Sequence, residues 1–127
     1  MIRIRDRIAG AILPLVVVVH ALRTVVPSTE WRLLELHASG DIRTLWPSGM
    51  LALENSLPQQ VDWLWLERFA LLIDEVETIK FVAVARADDS GWSVECVDSS
   101  YWEITGPGTK LASLRGRFDA VDDVTML

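Results

Sequence analysis

Between Lys80 and Gly106 the chain reads KFVAVARADDSGWSVECVDSSYWEITG, and few folds other than antiparallel sheet accommodate such a run. Residues 80–86 are rich in Val, Phe and Ala. From Trp92 onward, Trp92, Val94 and Cys96 alternate with Ser93 and Glu95, the period of two that puts one side of a strand in a core and the other in water. Asp88, Asp89, Ser90 and Gly91 lie between the two runs. Asp and Ser favour a tight turn, and glycine takes a positive φ without steric cost, so a hairpin is expected there. A second polar break, Asp98-Ser99-Ser100, precedes Tyr101 to Thr105, where Trp102 and Ile104 share a face. The stretch predicts a three-stranded meander over 80–105.

The 127-residue chain is long enough to enclose a core around this meander without disulfides or metals. A single cysteine, Cys96, excludes an internal disulfide, and its place on the inner side of a strand makes it a small buried hydrophobe. The net charge of −6 is unevenly spread: residues 1–50 carry six arginines against four acids, and the rest of the chain six bases against fourteen acids. Nucleic acid is bound by clustered Lys and Arg. This balance argues against direct nucleic-acid binding and for a basic partner.

At the start, Ile2, Ile4 and Ile8 alternate with Arg3, Arg5 and Arg7, which predicts a strand with a guanidinium face. The following run from Ile12 to Val19 contains four successive valines and reads as a buried strand. A basic start, this apolar run and Val19-His20-Ala21 also form the outline of a secretory signal over residues 1–21, an alternative weakened by Asp6. A membrane span needs about 20 apolar residues, and Arg7, Pro14 and Arg23 interrupt any such stretch, so none is expected. The protein is expected in the cytoplasm, or outside it if residues 1–21 are a signal.

Three helices are expected, over about 29–38, 58–78 and 109–121. Ser28 or Thr29 caps the first and Gly40 ends it. Residues Asp41 to Trp46 read as a short strand, and Met50 to Leu53 fit either state. Ser56-Leu57-Pro58 marks the start of the longest helix, in which Val61, Trp65, Phe69, Leu72, Val76 and Ile79 fall on one stripe at 100° per residue and face the sheet. Trp63, Glu67, Asp74 and Glu77 line the other side of that helix. An exposed indole ringed by carboxylates resembles the anchor of a protein interface, and these four residues form the expected partner-binding site. Thr109 caps the last helix, whose inner face is Leu111, Leu114, Phe118 and Val121; Asp119, Asp122 and Asp123 oppose its dipole and fray its end.

No arrangement points to bond-making chemistry. Histidine occurs only at His20 and His37, neither beside a nucleophile or zincin motif, so no catalytic residue is assigned. One Cys and two scattered His cannot build a usual zinc site, Asp88-Asp89 lacks the spaced ligands of a calcium loop, and Gly106 to Lys110 lacks phosphate-cradle spacing. No cofactor and no metal are expected. Oligomeric state is not legible.

The string WSVECVDSSYWEI from Trp92 to Ile104, followed by a glycine-rich turn and a closing helix containing Arg117 and Phe118, resembles the strand–strand–helix ends of small bacterial immunity proteins for polymorphic toxins, over about residues 78–120. That resemblance implies a non-catalytic acidic protein that binds a toxin domain. The expectation is thus one α+β domain over 1–127, with an antiparallel or mixed sheet of three to five strands. Its expected role is that of a non-enzymatic protein-binding domain neutralising a basic toxin or nuclease. The second reading is a small-molecule-binding domain or enzyme with its pocket between sheet and helices, walled by Tyr101 and Trp102.

Overall fold

A computed structural model of the chain describes residues 1–26, 30–84 and 91–124. Along it run β1 (Ile2–Ile4), β2 (Arg7–Ile8), β3 (Ala11–Ile12), α1 (Leu15–Arg23), β4 (Glu30–Gly40), α2 (Met50–Glu54), β5 (Gln59–Asp62), α3 (Trp63–Leu72), β6 (Ile73–Ala83), β7 (Ser93–Val97), β8 (Tyr101–Thr105), α4 (Gly108–Arg115) and β9 (Val121–Asp123). Seven strands make one sheet in the order β5-β4-β6-β7-β8-β1-β9, and β2 and β3 form a separate hairpin. Every pairing in the large sheet is antiparallel. The chain is a small α+β domain, with seven strands in its main sheet rather than three to five.

The two faces of the sheet differ completely. On one side Ile79, Cys96, Trp102 and Ile4 lie across neighbouring strands, are buried, and join one hydrophobic cluster with α1, α3 and α4. Trp102 Nε1 donates to the Leu13 carbonyl at 2.9 Å, which satisfies the indole's one polar group inside the core. On the other side the same register aligns Glu35, Lys80, Glu95, Glu103, Arg3 and Asp122 in one row across six strands. Glu95 opposite Glu103 is unfavourable by itself. Lys80 flanks the first, and Arg3 bonds the second at 3.0 Å while lying 4.2 Å from the Tyr101 ring centre.

The meander is present as β6, β7 and β8, although β6 begins at Ile73, seven residues before the expected start. Of the hairpin turn expected at Ala87 to Gly91 only Gly91 is described, with the positive φ expected of it, +101°; the rest of that turn and the Ser28 or Thr29 cap lie outside the described residues.

Five further expectations are corrected. The valine run is helix: Leu15, Val18, Val19 and Leu22 are buried at i, i+3, i+4 and i+7, and α1 packs against α3. Valine's β propensity is overridden because this spacing buries one stripe and leaves Val16 and Val17 partly in water. Residues 30–40 are strand, not helix. Leu34 is an extra residue on β4, since Leu33 pairs with Phe81 and Glu35 with Lys80. The bulge shifts the inward phase by one along Trp31, Leu33, Leu36 and Ala38, and the extra Leu34 stands at i+3 from Trp31 and i−4 from Ala38, a helical spacing that lies on a strand.

The helix expected over 58–78 is strand, helix and strand in succession. Ser56 Oγ turns back to the Ala52 carbonyl, at 2.6 Å, and does not cap; the cap is Asp62, whose carboxylate accepts from Trp65 N at 2.8 Å. Helix α3 ends after Leu72, where the β-branched Ile73, Val76, Thr78 and Ile79 favour extended backbone. The last helix is shorter than expected, stopping at Arg115, so Arg117 and Phe118 lie beyond it and Val121 to Asp123 form β9. Residues Asp41 to Trp46 form turns instead of a strand. There Asp41 accepts from the side chain and then the backbone N–H of Arg43, which together hold its carboxyl down at about 2.

Candidate functional site

The four residues expected to form one helical face are separated by the fold. Trp63 is only 8% exposed and packs edge-on to Trp31, ring centres 5.2 Å apart. It belongs to the core, so the exposed anchor expected there is absent. Glu67 remains on α3, where it forms an ion pair with Arg23 of α1. Asp74 and Glu77 are on β6. The helical phase that grouped them fails because the chain becomes extended at Ile73.

Asp74 and Glu77 nevertheless share an origin. Along the β4–β6 ladder His37 pairs with Thr78 and Ala38 with Val76, which leaves Glu77 as an extra residue; Ser39 pairs with Glu75 and Gly40 with Ile73, which leaves Asp74 as another. Each acid sits at an irregularity where the strand bends and the side chain is re-aimed. Both are exposed, and so is Glu75 between them. Gly40 makes the second irregularity feasible. Its φ is +137°, and a Cβ there would stand 2.7 Å from the Leu72 carbonyl oxygen and 2.8 Å from Ile73 Cα, so only glycine lets β4 approach the joint between α3 and β6.

The end of β6 projects beyond β7, whose pairing stops at Ile79. The β7–β8 turn closes part of this uncovered edge. Asp98 and Ser99 both adopt positive φ, 47° and 55°, the conformation a tight hairpin of this hand requires. Ser99 N then donates to the Glu77 carbonyl at 2.8 Å and its Oγ to that of Val76 at 2.9 Å. Across the sheet, Glu54 of α2 accepts from Ala38 N at 3.4 Å on the part of β4 that extends past β5.

These elements enclose an open groove of about 550 Å³ lined by His37, Ser39, Glu54, Glu75, Glu77, Asp98 and Ser99. Four carboxylates face it; among the described residues neither Lys nor Arg lines it, and none of the four carboxylates is in an ion pair. The potential there is negative, suited to an ammonium or guanidinium group. Among the described residues no three His, Cys, Asp or Glu side chains are disposed to hold a metal, and His37 hydrogen-bonds to no carboxylate that would orient it as a base.

A second cleft, of about 380 Å³, adjoins the groove and shares Glu75 and Ser99 with it. Its walls come from the segment after the β2–β3 hairpin and from the junction of α3 with β6, and they include Ile12, Leu13, Pro14, Ala70, Ile73 and Val76, with Arg7, Asp74 and Glu75 as the charged members. Arg7 is turned toward backbone: its Nη2 donates to the Ser100 carbonyl at 3.0 Å.

Sequence reasoning placed Asp74 and Glu77 together for the wrong reason and missed Glu54, Glu75 and Asp98. The Asp98-Ser99-Ser100 turn was visible, but nothing local to it pointed to β6. Among the described residues no helix is long and apolar enough to cross a membrane. Comparison with protein-family models, curated proteins and solved structures returns no match, so geometry alone carries the functional reading.

Proposed function

We propose that this domain is a non-enzymatic, acidic protein-binding module that receives basic side chains of a partner in the groove at the bulged end of β6. In this reading it acts as an immunity-type inhibitor of a basic toxin or nuclease in the cytoplasm. The observation that supports it is the groove itself: four carboxylates that have no ion-pair partner among the described residues converge on open space that none of the described Lys or Arg residues lines. Complementary charge of this kind accelerates encounter and selects against acidic competitors. Exposed groups are screened over a Debye length of about 8 Å at physiological salt, so the interaction should be salt-sensitive.

The test is binding of purified basic nuclease domains to the full chain at low and high salt, with Glu75→Lys/Glu77→Lys as the control. Binding that weakens steeply with salt and disappears in the double variant supports the reading. Affinity unchanged by both charge reversals would remove this groove from consideration. The small-molecule reading draws on the adjoining cleft, whose volume falls in the range of ligand pockets.

A further inference from the structure

The groove accounts for charge recognition but not for an anchor, because the only indole expected to supply one, Trp63, is inside the core. What adjoins the carboxylates is a hole, not a knob. We infer that the partner supplies the anchor, as an aliphatic or aromatic side chain entering the cleft between the β2–β3 hairpin segment and the α3–β6 junction. A lysine or arginine close by in the partner's sequence then lies in the acidic groove. This rests on the reading of the groove given above and adds to it the chemistry of the recognised segment.

Two observations fix which side chain goes where. The cleft is walled chiefly by Ile12, Leu13, Ile73 and Val76, and its charged members Arg7, Asp74 and Glu75 are of both signs, so a cation entering it loses hydration for less net attraction than in the groove, while an apolar side chain finds apolar walls. The groove has four acids and, among the described residues, no Lys or Arg, and there a cation is favoured and an apolar group gains little. Because Glu75 and Ser99 belong to both, the two sites abut, and neighbouring residues of one extended segment reach both. The result is an apolar anchor beside charged contacts, the usual division of labour in a tight interface. A wholly polar basic tail fills only half of this surface. A free apolar metabolite fills only the other half.

The experiment uses the full chain and three fluorescein-labelled peptides of equal length: a lysine-rich peptide with one central leucine, the same peptide with alanine in place of leucine, and one with glutamates in place of the lysines. The leucine peptide is expected to bind about tenfold tighter than the alanine peptide and the glutamate peptide not at all. Only the leucine peptide should shift the methyl resonances of Ile12, Ile73 and Val76. In Ile12→Lys, with its fold verified by circular dichroism, the leucine peptide should fall to the level of the alanine one; if that variant does not fold, the methyl shifts in the unaltered chain decide.

Equal binding of the leucine and alanine peptides, with both lost in Glu75→Lys/Glu77→Lys, overturns the anchor and leaves the groove standing. No binding of either lysine peptide at any salt overturns both. Free leucine shifting the same methyls as strongly as the peptide would make the cleft a small-molecule site and overturn the inference.

Discussion

The strands β7, β8 and β1 on one side of the sheet and the long pair β4 and β6 on the other are built from the same antiparallel ladder, yet they serve different ends. The first group pairs residue for residue without a break. Its inward row packs under the helices, and in its outward row of Glu95, Glu103 and Arg3 the arginine offsets the like-charge pair by bonding Glu103. The second pair is interrupted three times in register, and two of those interruptions project Asp74 and Glu77. Regular pairing yields stability and a surface whose charges largely engage one another; irregular pairing gives up ladder continuity and yields a surface whose charges face outward. The cleft and the groove both open at the irregular end.

Substitutions can break this contrast at decreasing cost. Trp102→Ala in the regular half removes a buried indole and its hydrogen bond to Leu13, and should destabilise by about 3–5 kcal/mol in urea titration. A loss below 1 kcal/mol would mean that this half does not hold the fold. In the irregular half, Gly40→Ala forces a Cβ against backbone of the α3–β6 joint, with an expected loss of about 2–3 kcal/mol. Gly49→Ala provides the sharper control. Its φ is also positive, at +88° with ψ 179°, but a Cβ there meets nothing within 4 Å, so only the conformational penalty of about 1–3 kcal/mol remains, and a loss at Gly40 beyond that found at Gly49 measures the backbone clash.

Where the two halves meet, burial pushes the Cys96 thiol up to about 11 from its ordinary 9.0. Between those values the folded chain keeps a proton that the unfolded chain has lost, so stability should decline as pH rises from 9 toward 11 and be indifferent to this group below 9. Cys96→Val should remove that part of the alkaline decline. The smallest effects test the charges themselves. Arg3→Glu places a third acid between Glu103 and Asp122 in the outward row and should cost about 1 kcal/mol, whereas Glu77→Lys should stay within about 0.5 kcal/mol. Equal costs at the two positions would mean that the Glu77 carboxylate is structural, and the groove would lose its claim to recognition.

The same regularity governs what could be read from the chain beforehand. Around Trp92 to Thr105 the period of two runs unbroken, and the strands, the turn at Asp98 and the burial of Trp92 and Cys96 were all legible. On β4 the inserted Leu34 falls at helical spacing from Trp31 and Ala38, and on β6 the insertions at Asp74 and Glu77 set Ile73, Val76 and Ile79 three apart, which made both segments look helical. In Leu15 to Leu22 the reverse occurred: a true helical stripe was hidden under four β-branched residues. The site was partly legible as acid content in the later part of the chain, but its assembly depends on Glu54, Glu75 and Asp98 meeting across contacts remote in sequence, which no local pattern encodes.

The margins of the sheet carry a last implication. It ends in β5 with four residues and β9 with three, and where β4 and β6 run past their neighbours, Glu54 and Ser99 occupy backbone groups on them. A strand offered by another molecule would find short stubs and groups already engaged instead of a long template to zip onto. Open-ended growth into fibrils is discouraged by this construction, so a chain that is half apolar can hold an acidic groove open at one end of its sheet without inviting copies of itself to stack there.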